Sequence, residues 1–326
     1  MLLAMSFVVF LLFFAAGNPA KSMCQKNCTP QRVQQITETL GYDKPVLTQY
    51  GLFLKGLVAG RDYPVNDAYR AKLEANDPSL VTHCPAPCFG YSNSQNATVA
   101  SLIKQAAPVT ISLSIVSFII FMVLGIALGV FAALNKGKAI DRITVGATLV
   151  LYAMPVYVVG VFLLKFMSIK WKILPYPSYV PLTQDPFQWL VNLLLPSLTL
   201  AALLMAAYVR YTRAFVLETL SEDYIRTARA KGVKNGRLLY KHALRAALTP
   251  IVTQAGIDLA TLLAGAVITE TVFSMQGLGG LTVDAARNTD LPILIGITLV
   301  AGAAYIVANI VVDVLYAVID PRVRLI

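Results

Sequence analysis

The residues best suited to specific polar contacts lie in one segment, 221–250, between two apolar stretches. Ser221 is predicted to cap a helix over 224–231, with Glu222 and Asp223 placing negative charge in its first turn. Gly232 is predicted to end that helix, and a second short helix is predicted over about 236–248, before Pro250 allows a fresh helix start. The segment carries seven basic residues: Arg226, Arg229, Lys231, Lys234, Arg237, Lys241 and Arg245.

Two small residues of this segment, Ala228 and Gly232, stand four apart and are predicted to share one helix face. Small side chains let another surface approach a helix backbone closely, and the arginines would surround that contact with charge. The segment is therefore interpreted as a docking surface and not as a catalytic loop. The alternative is a basic loop that only fixes membrane topology.

Three acids fall within or beside predicted spans: Asp258, Glu270 and Asp313. An acid at such a depth lines a cavity or finds a partner, because leaving it in lipid is costly. Asp258 has two interpretations, a polar site on a translocation path that meets a substrate ammonium group, or a hydrogen bond to a neighbouring helix or subunit. Glu270 and Asp313 lie near the interfaces and are predicted to be structural.

The four cysteines form two CxxxC pairs, Cys24/Cys28 and Cys84/Cys88, in a long polar segment. Zinc, free thiols and disulfides are all compatible with this spacing, and a position outside the membrane favours disulfides. Because Pro85 and Pro87 favour an extended run that holds Cys84 and Cys88 apart, bonds that cross between the two pairs are preferred over local ones. His83, beside Cys84, is interpreted as a surface residue, with zinc ligation as the alternative.

Several chemistries have no motif in this sequence. GxxxxGK[ST], HExxH and GxSxG are absent, so ATP binding through a phosphate loop, a zinc protease and a serine hydrolase site are not predicted. The two histidines, His83 and His242, are assigned to opposite membrane faces, which argues against a histidine metal site. The net charge of +10 does not indicate nucleic-acid binding, because the basic residues lie mostly beside apolar spans.

The elements that must position these residues are membrane helices. The chain is 57% hydrophobic with a mean hydropathy of +0.66, which indicates an all-α polytopic membrane protein. In the second span Gly125 and Gly129 are four apart, a spacing typical of close helix packing. The third span is predicted to kink at Met154–Pro155. Six spans are predicted: 1–16, 108–134, 143–168, 189–211, 251–273 and 291–319.

Topology follows from the basic residues of the short loops. Loops 135–142 and 212–248 and the tail 320–326 hold thirteen Lys and Arg residues, whereas loops 169–188 and 274–290 hold three. Both termini and the 221–250 segment are therefore predicted to be cytoplasmic, with the cysteines outside. The domains are a first helix over 1–17, an extracytoplasmic segment over 18–101, and a core over 102–326 with its cytoplasmic loop at 212–250.

A family resemblance rests first on the 221–250 segment. Residues 226–232 (RTARAKG), then 242–245 (HALR) and Pro250, resemble the cytoplasmic coupling loop of ABC-importer permeases. The sequence of these residues resembles that of the branch of the family that imports dipeptides, oligopeptides or nickel. In this family the loop sits in a groove of the ATP-binding subunit, and His242 matches a packing or docking position.

Other stretches extend the resemblance over nearly the whole chain. Residues 17–20, 40–63 and the C-terminal 313–325 match the family, whereas 64–95 has no counterpart and is interpreted as an insertion. Because the family has a basic stretch before its first helix, this chain is expected to begin late, with that helix clipped. Residues 270–281 resemble the outer-face segment that includes Glu270, Gly277 and Gly279; Gln276 and Gly280 replace its Pro and Arg.

The resemblance implies a type I ABC-importer permease fold in a prokaryotic inner membrane, with no cofactor or enzymatic activity on this chain. The implied partners are a homologous permease, two ATP-binding subunits that hold ATP and Mg²⁺, an extracytoplasmic substrate-binding protein, a peptide substrate and membrane lipid. The implied coupling residues are Tyr224, Arg226, Thr227, Ala228, Arg229, Ala230, Lys231, Gly232, His242 and Arg245.

Two other functions stay open at this point. One is a permease for nickel or another small solute, since selectivity in this family depends strongly on the binding protein. The other is an ion-coupled secondary transporter that uses Asp258 or Asp313, a class that internal inverted repeats would favour. Such repeats are not recognisable in this sequence.

Overall fold

The computed structural model describes residues 2–15, 20, 29–77, 81–92, 94–263 and 266–319. The chain divides into two structural units, each described here by itself. Unit 1 is formed by Met1–Pro108 and Gly277–Ala303. Unit 2 is formed by Val109–Gln276 and Ala304–Ile326.

The first hundred residues combine helices with short strands. They are α1 (Leu2–Ala15), α2 (Pro30–Leu40), α3 (Val46–Ala59), β1 (Arg61–Tyr63), α4 (Asp67–Asn76), β2 (Thr82–Cys84), β3 (Tyr91–Ser92) and β4 (Ala97–Thr98). In the rest of the described chain the regular elements are helices, joined by loops such as 171–185. They are α5 (Val99–Leu134), α6 (Ala139–Ala153), α7 (Val156–Leu163) with a π-helical extension (Leu164–Lys170), α8 (Pro186–Ser221), α9 (Asp223–Ala230), α10 (Asn235–Arg237) with a π-helical stretch (Leu238–Ala243), α11 (Leu244–Leu263), α12 (Val267–Val272), α13 (Leu278–Arg287) and α14 (Leu291–Ile319).

The membrane-spanning character is carried by long apolar helices. Within the described residues, four helical stretches are long and apolar enough to cross a bilayer: 99–134, 186–221, 238–263 and 291–311. A fifth arises if α6 and the α7 stretch count as one broken span. Helix α1 has 14 residues, short of the roughly 20 that a span requires.

The predicted break in the third span is confirmed at Met154 and Pro155. The helices on either side of it meet at a bend of 101°. Pro155 lacks a backbone N–H and restricts the residue before it to extended conformations, and Met154 is indeed extended, with ψ of 131°. The bend is therefore much sharper than a simple kink.

Helix ends differ from the predicted span ends because hydropathy reports depth in lipid, whereas capping and tertiary contacts decide where a helix stops. Helix α5 begins at Val99 and runs through Pro108. Helix α8 begins after Asp185, whose carboxylate accepts from the Phe187 and Gln188 amides. The fresh helix start predicted at Pro250 is wrong, because α11 continues through that proline.

The fold is mostly helical, as predicted, but unit 1 adds short strands and corrects the preferred cysteine pairing. Strand β1 pairs antiparallel with β2, and β3 with β4. Cys84 and Cys88 form a disulfide with a Cα–Cα distance of 5.5 Å. The chain bends at Ala86 and Pro87 instead of running extended, so the two cysteines meet locally and neither can bond across to the first pair. Cys24 and Cys28 lie outside the described residues.

In unit 2, α8 packs against α5, α6, α7 and α11 around a buried core that includes Phe121, Tyr208 and Ile251. The predicted small-residue face of α5 is confirmed. A Cβ atom on Gly125 would lie 2.6 Å from the Tyr208 Cβ, and one on Gly129 would lie 2.5 Å from the Thr212 Cβ. Glycine at these two positions lets α5 and α8 approach closely.

Candidate functional site

The 221–250 segment folds as a short helix followed by a turn and a second helix. Helix α9 begins after Glu222, whose backbone is extended and whose side chain makes no capping bond. Ser221 is the last residue of α8, and its hydroxyl donates to the Glu218 carbonyl at 2.6 Å. The prediction that Ser221 caps the helix is wrong, because α8 continues ten residues beyond the predicted end of the fourth span and includes Ser221.

Gly232 ends the helix as predicted. Its φ is +77°, the left-handed region, and its amide donates to the Arg229 carbonyl at 3.0 Å. The Val233 amide donates to the Ala228 carbonyl at 3.2 Å. This pair of bonds is a Schellman motif, in which a residue at positive φ lets the backbone satisfy the last helical carbonyls.

The predicted common face of Ala228 and Gly232 is not present. Helix α9 ends at Ala230, so Gly232 lies beyond it, exposed and with no atom within 4 Å of the position of an added Cβ. Ala228 is half-buried and packs inward against the cluster of Ile225, Leu238 and Ala243. Spacing of four residues places two side chains on one face only while the helix continues.

This buried cluster anchors the segment. Ile225 and Ala243 are fully buried and Leu238 is 1% exposed. Leu220 and Val233 pack against them, so the end of α8, helix α9 and the π-helical stretch share one apolar core. Apolar burial on the inner face holds α9 in place and leaves its outer face available for contacts.

The outer face is basic. All seven Lys and Arg side chains noted in the sequence are exposed, and so are Tyr224, Thr227 and Ala230. Arg226 lies 3.5 Å from Asp223, but both side chains are largely exposed and such a pair contributes little. Burial and the nearby Glu222 carboxylate raise the pKa of Tyr224, which keeps its hydroxyl protonated. His242 is half-buried.

An ion pair missed by the sequence analysis lies at the start of α6. Arg213 Nε donates to Asp141 Oδ1 at 2.6 Å, and Nη2 donates to Oδ2 at 2.8 Å. The Gly137 amide also donates to Oδ2, at 2.9 Å. The Asp141 side chain is 6% exposed. The bidentate pair joins α6 to α8, the helix that leads into the 221–250 segment. The sequence offers one indication of this pair, because Asp141 is an acid within the otherwise basic loop 135–142.

Asp258 has a partner on a neighbouring helix. The Tyr208 hydroxyl of α8 donates to Asp258 Oδ2 at 2.7 Å, and Gln254 Nε2 donates to Oδ1 at 3.3 Å. The hydrogen bond predicted by the structural interpretation is thus present. Asp258 is half-buried and forms no ion pair within the described part of the chain.

The other predicted positions fall in several places. Glu270, in α12, is fully buried and accepts from the Thr110 hydroxyl at 2.7 Å. Gly277 immediately precedes α13 and Gly279 lies in its first turn, both buried. The side chain of Asp313 lies outside the described residues. Over those residues, no group of three or more His, Cys, Asp or Glu side chains is arranged to hold a metal ion.

Two family models match the chain. Residues 125–325 match the "Binding-protein-dependent transport system inner membrane component", and residues 1–114 match "Binding-prot-dependent transport system membrane comp, N-term". The chain belongs to this family. The permease is a multi-pass inner-membrane protein and a transport subunit of the ABC-importer type, not an enzyme in its own right.

Curated relatives cover almost all of the permease. The probable peptide ABC transporter permease protein y4tP of Sinorhizobium fredii is 35% identical over 318 residues, covering 98% of this chain and 93% of the relative. The dipeptide transport system permease protein DppB of Escherichia coli K12 is 32% identical over 332 residues, covering 94% and 90%. The similarity thus includes the first hundred residues as well as the core.

Among solved structures, a chain from inward-facing conformations of the MetNI methionine ABC transporter is similar, with a TM-score of 0.56 and 16% identity. The match covers 68% of the permease and 97% of that chain. At this identity the likeness shows the fold alone. It agrees with the predicted fold of ABC-importer permeases.

Proposed function

We propose that the permease is one of two membrane subunits of an ATP-driven peptide importer. The names of the relatives, which are peptide and dipeptide permeases, support peptides as the substrate class. A homologous permease would complete the path, and an extracytoplasmic binding protein would deliver the substrate. Two ATP-binding subunits would hold ATP and Mg²⁺ and carry out hydrolysis.

The 221–250 segment is the proposed coupling element, and one observation supports this proposal most strongly. Its outer face presents exposed cations while its inner face is held by the buried Ile225 cluster. A rigid, charged projection can transmit movement of a docked motor subunit into α8 and α11, which flank it. The coupling residues in this proposal are those of α9 and its turn, with His242 and Arg245.

Gly232→Val is the test of coupling. Valine at φ of +77° is strained, so the Schellman turn should distort and peptide uptake by the reconstituted complex should fall about tenfold while ATP hydrolysis continues. Gly236→Val is the matched control, because Gly236 has equal space around it and no positive φ. Gly232→Asn, which tolerates the left-handed region, should keep more uptake than Gly232→Val.

The assignment is wrong if Gly232→Val transports peptide at the normal rate in an intact complex. The rival functions give different results in the same assay. A secondary transporter would move solute on an ion gradient without nucleotide or companion subunits, and a nickel permease would take up metal but not peptide.

We infer that both termini and the 221–250 segment are cytoplasmic and that six helices span the membrane. This arrangement is supported by the thirteen basic residues of the loops and tail assigned to the cytoplasm. The 64–95 insertion, with its disulfide, would then face outward and contact the binding protein. Labelling of single cysteines with a membrane-impermeant reagent tests the orientation, and deletion of 64–95 tests capture of the binding protein.

Asp258 is proposed to line the translocation path. Its carboxylate accepts from Tyr208 and Gln254 but has no basic partner in the described chain, so a peptide ammonium group could pair with it. Asp258→Asn should slow uptake of cationic peptides about tenfold and affect neutral peptides less. Equal rates for both peptide classes in this variant would show that Asp258 serves only as a helix contact.

A further inference from the structure

Unit 1 contains a small cavity lined largely by aromatic rings. Its volume is about 60 Å³. One water needs roughly 10–15 Å³ of such space, so the cavity has room for roughly four to six non-hydrogen atoms. The rings are those of Phe10, Tyr42, Phe53, Tyr63, Phe89 and Tyr91.

One wall of the cavity carries a buried acceptor without a donor. The Gln49 side chain is 7% exposed, and its Nε2 donates to the Lys44 carbonyl at 2.6 Å. That bond sets the orientation of the amide, and Gln49 is one of the residues that line the cavity. Gln49 Oε1 is buried and has no hydrogen-bond partner among the described residues. A buried acceptor of this kind stabilises a ligand that brings an N–H donor.

A second wall carries a cation. Arg61 is the one charged residue among those that line the cavity, and it is half-buried. Its guanidinium lies 5.4 Å from the centre of the Tyr63 ring. No acidic side chain of the described chain pairs with it, since the adjacent Asp62 contacts His83 instead. A guanidinium fork in this setting is well matched to a carboxylate.

We propose that this cavity binds a small zwitterionic α-amino acid of the size of glycine or alanine. The carboxylate pairs with Arg61, and the ammonium group donates to Gln49 Oε1 between aromatic faces that favour a cation. Glycine has five non-hydrogen atoms, which agrees with the space available. Burial raises the pKa of Tyr42, so that its phenol stays neutral beside such a ligand. The site does not depend on the proposed transport function.

The direct test is binding of ¹³C-glycine to the full-length permease in nanodiscs, measured by saturation-transfer NMR and competition. Saturable binding at millimolar glycine is expected. Glycine amide, which lacks the carboxylate, and acetate, which lacks the ammonium group, should each bind about tenfold more weakly. A cavity that holds only water would give no saturable signal, and that result would overturn the proposal, as would equal binding of all three probes.

Substitutions locate the binding to this cavity. Arg61→Gln and Gln49→Leu should each weaken glycine binding about tenfold. The matched changes Arg32→Gln and Gln34→Leu, at exposed positions of α2, should leave it unchanged.

Gln49→Glu supplies a gain of binding that a misfolded variant could not show. It places a carboxylate beside the proposed position of the ligand's ammonium group. The affinity for glycine amide should therefore rise above that of the unmodified permease. If Gln49→Glu gains nothing for glycine amide, or if Arg61→Gln keeps full glycine affinity, the site is not where we place it.

Discussion

The 221–250 segment presents seven exposed basic side chains, whereas Asp141, Asp258 and Glu270 in the helices of unit 2 each accept a hydrogen bond from a side chain of another helix. Arg226 Nη1 lies 3.5 Å from Oδ1 of Asp223, and both side chains are largely exposed. Arg213, in contrast, holds Asp141 through two bonds of 2.6 and 2.8 Å. Charge that is already paired supports the fold, and charge left in solvent is available to another subunit.

The comparison extends to the apolar side chains. The segment depends on a small cluster around Ile225, while the helices of unit 2 share a larger core around Phe121 and Tyr208. Three substitutions, from the largest expected effect to the smallest, test this distinction between paired and available groups.

Asp141→Ala should have the largest effect on stability. It removes a carboxylate that is 6% exposed and leaves Arg213, itself only 28% exposed, without its partner. We expect the midpoint of thermal unfolding to fall by roughly 5–10 °C. Asp223→Ala, at the exposed pair, is the control and should change the midpoint little. An equal fall in both variants would remove the distinction between the two regions.

Ile225→Ala should loosen the coupling segment alone. The lost side chain is fully buried, and its removal is expected to reduce the local unfolding free energy of α9 by about 2–4 kcal/mol. Hydrogen exchange at the amides of α9 measures this loss. Tyr224→Ala, 48% exposed, serves as the control. If exchange in α9 stays unchanged, the segment is held by something other than this cluster.

Arg226→Ala should have the smallest effect on the permease itself. Its side chain is 71% exposed, so global stability is expected to stay within about 0.5 kcal/mol. Capture of the ATP-binding subunit should nevertheless fall several-fold, measured by co-purification at fixed salt. Arg32→Ala, an exposed arginine outside the segment, should alter neither quantity. If the Arg226→Ala permease captures the ATP-binding subunit as well as the unmodified permease does, the docking contact is made by other residues.

Local features of the candidate site could be predicted where a single residue decides the backbone. Gly232 ends α9 because a left-handed φ suits glycine, and Pro155 breaks a span because it lacks an amide donor. The common face of Ala228 and Gly232 was predicted wrongly because the helix stops between them. The local Cys84–Cys88 bond was missed because the bend at Ala86 and Pro87 was expected to be an extended run.

Composition and short motifs by themselves determined the membrane class, the positions of the long apolar helices, the basic segment and the family resemblance. Each of these features depends only on residues that are close together in the sequence. Tertiary structure alone decided which distant groups meet. Asp141 and Arg213 are 72 residues apart, and Tyr208 and Asp258 are 50 apart. Their contacts depend on how two helices pack and rotate against each other, which no local pattern of hydropathy or propensity records.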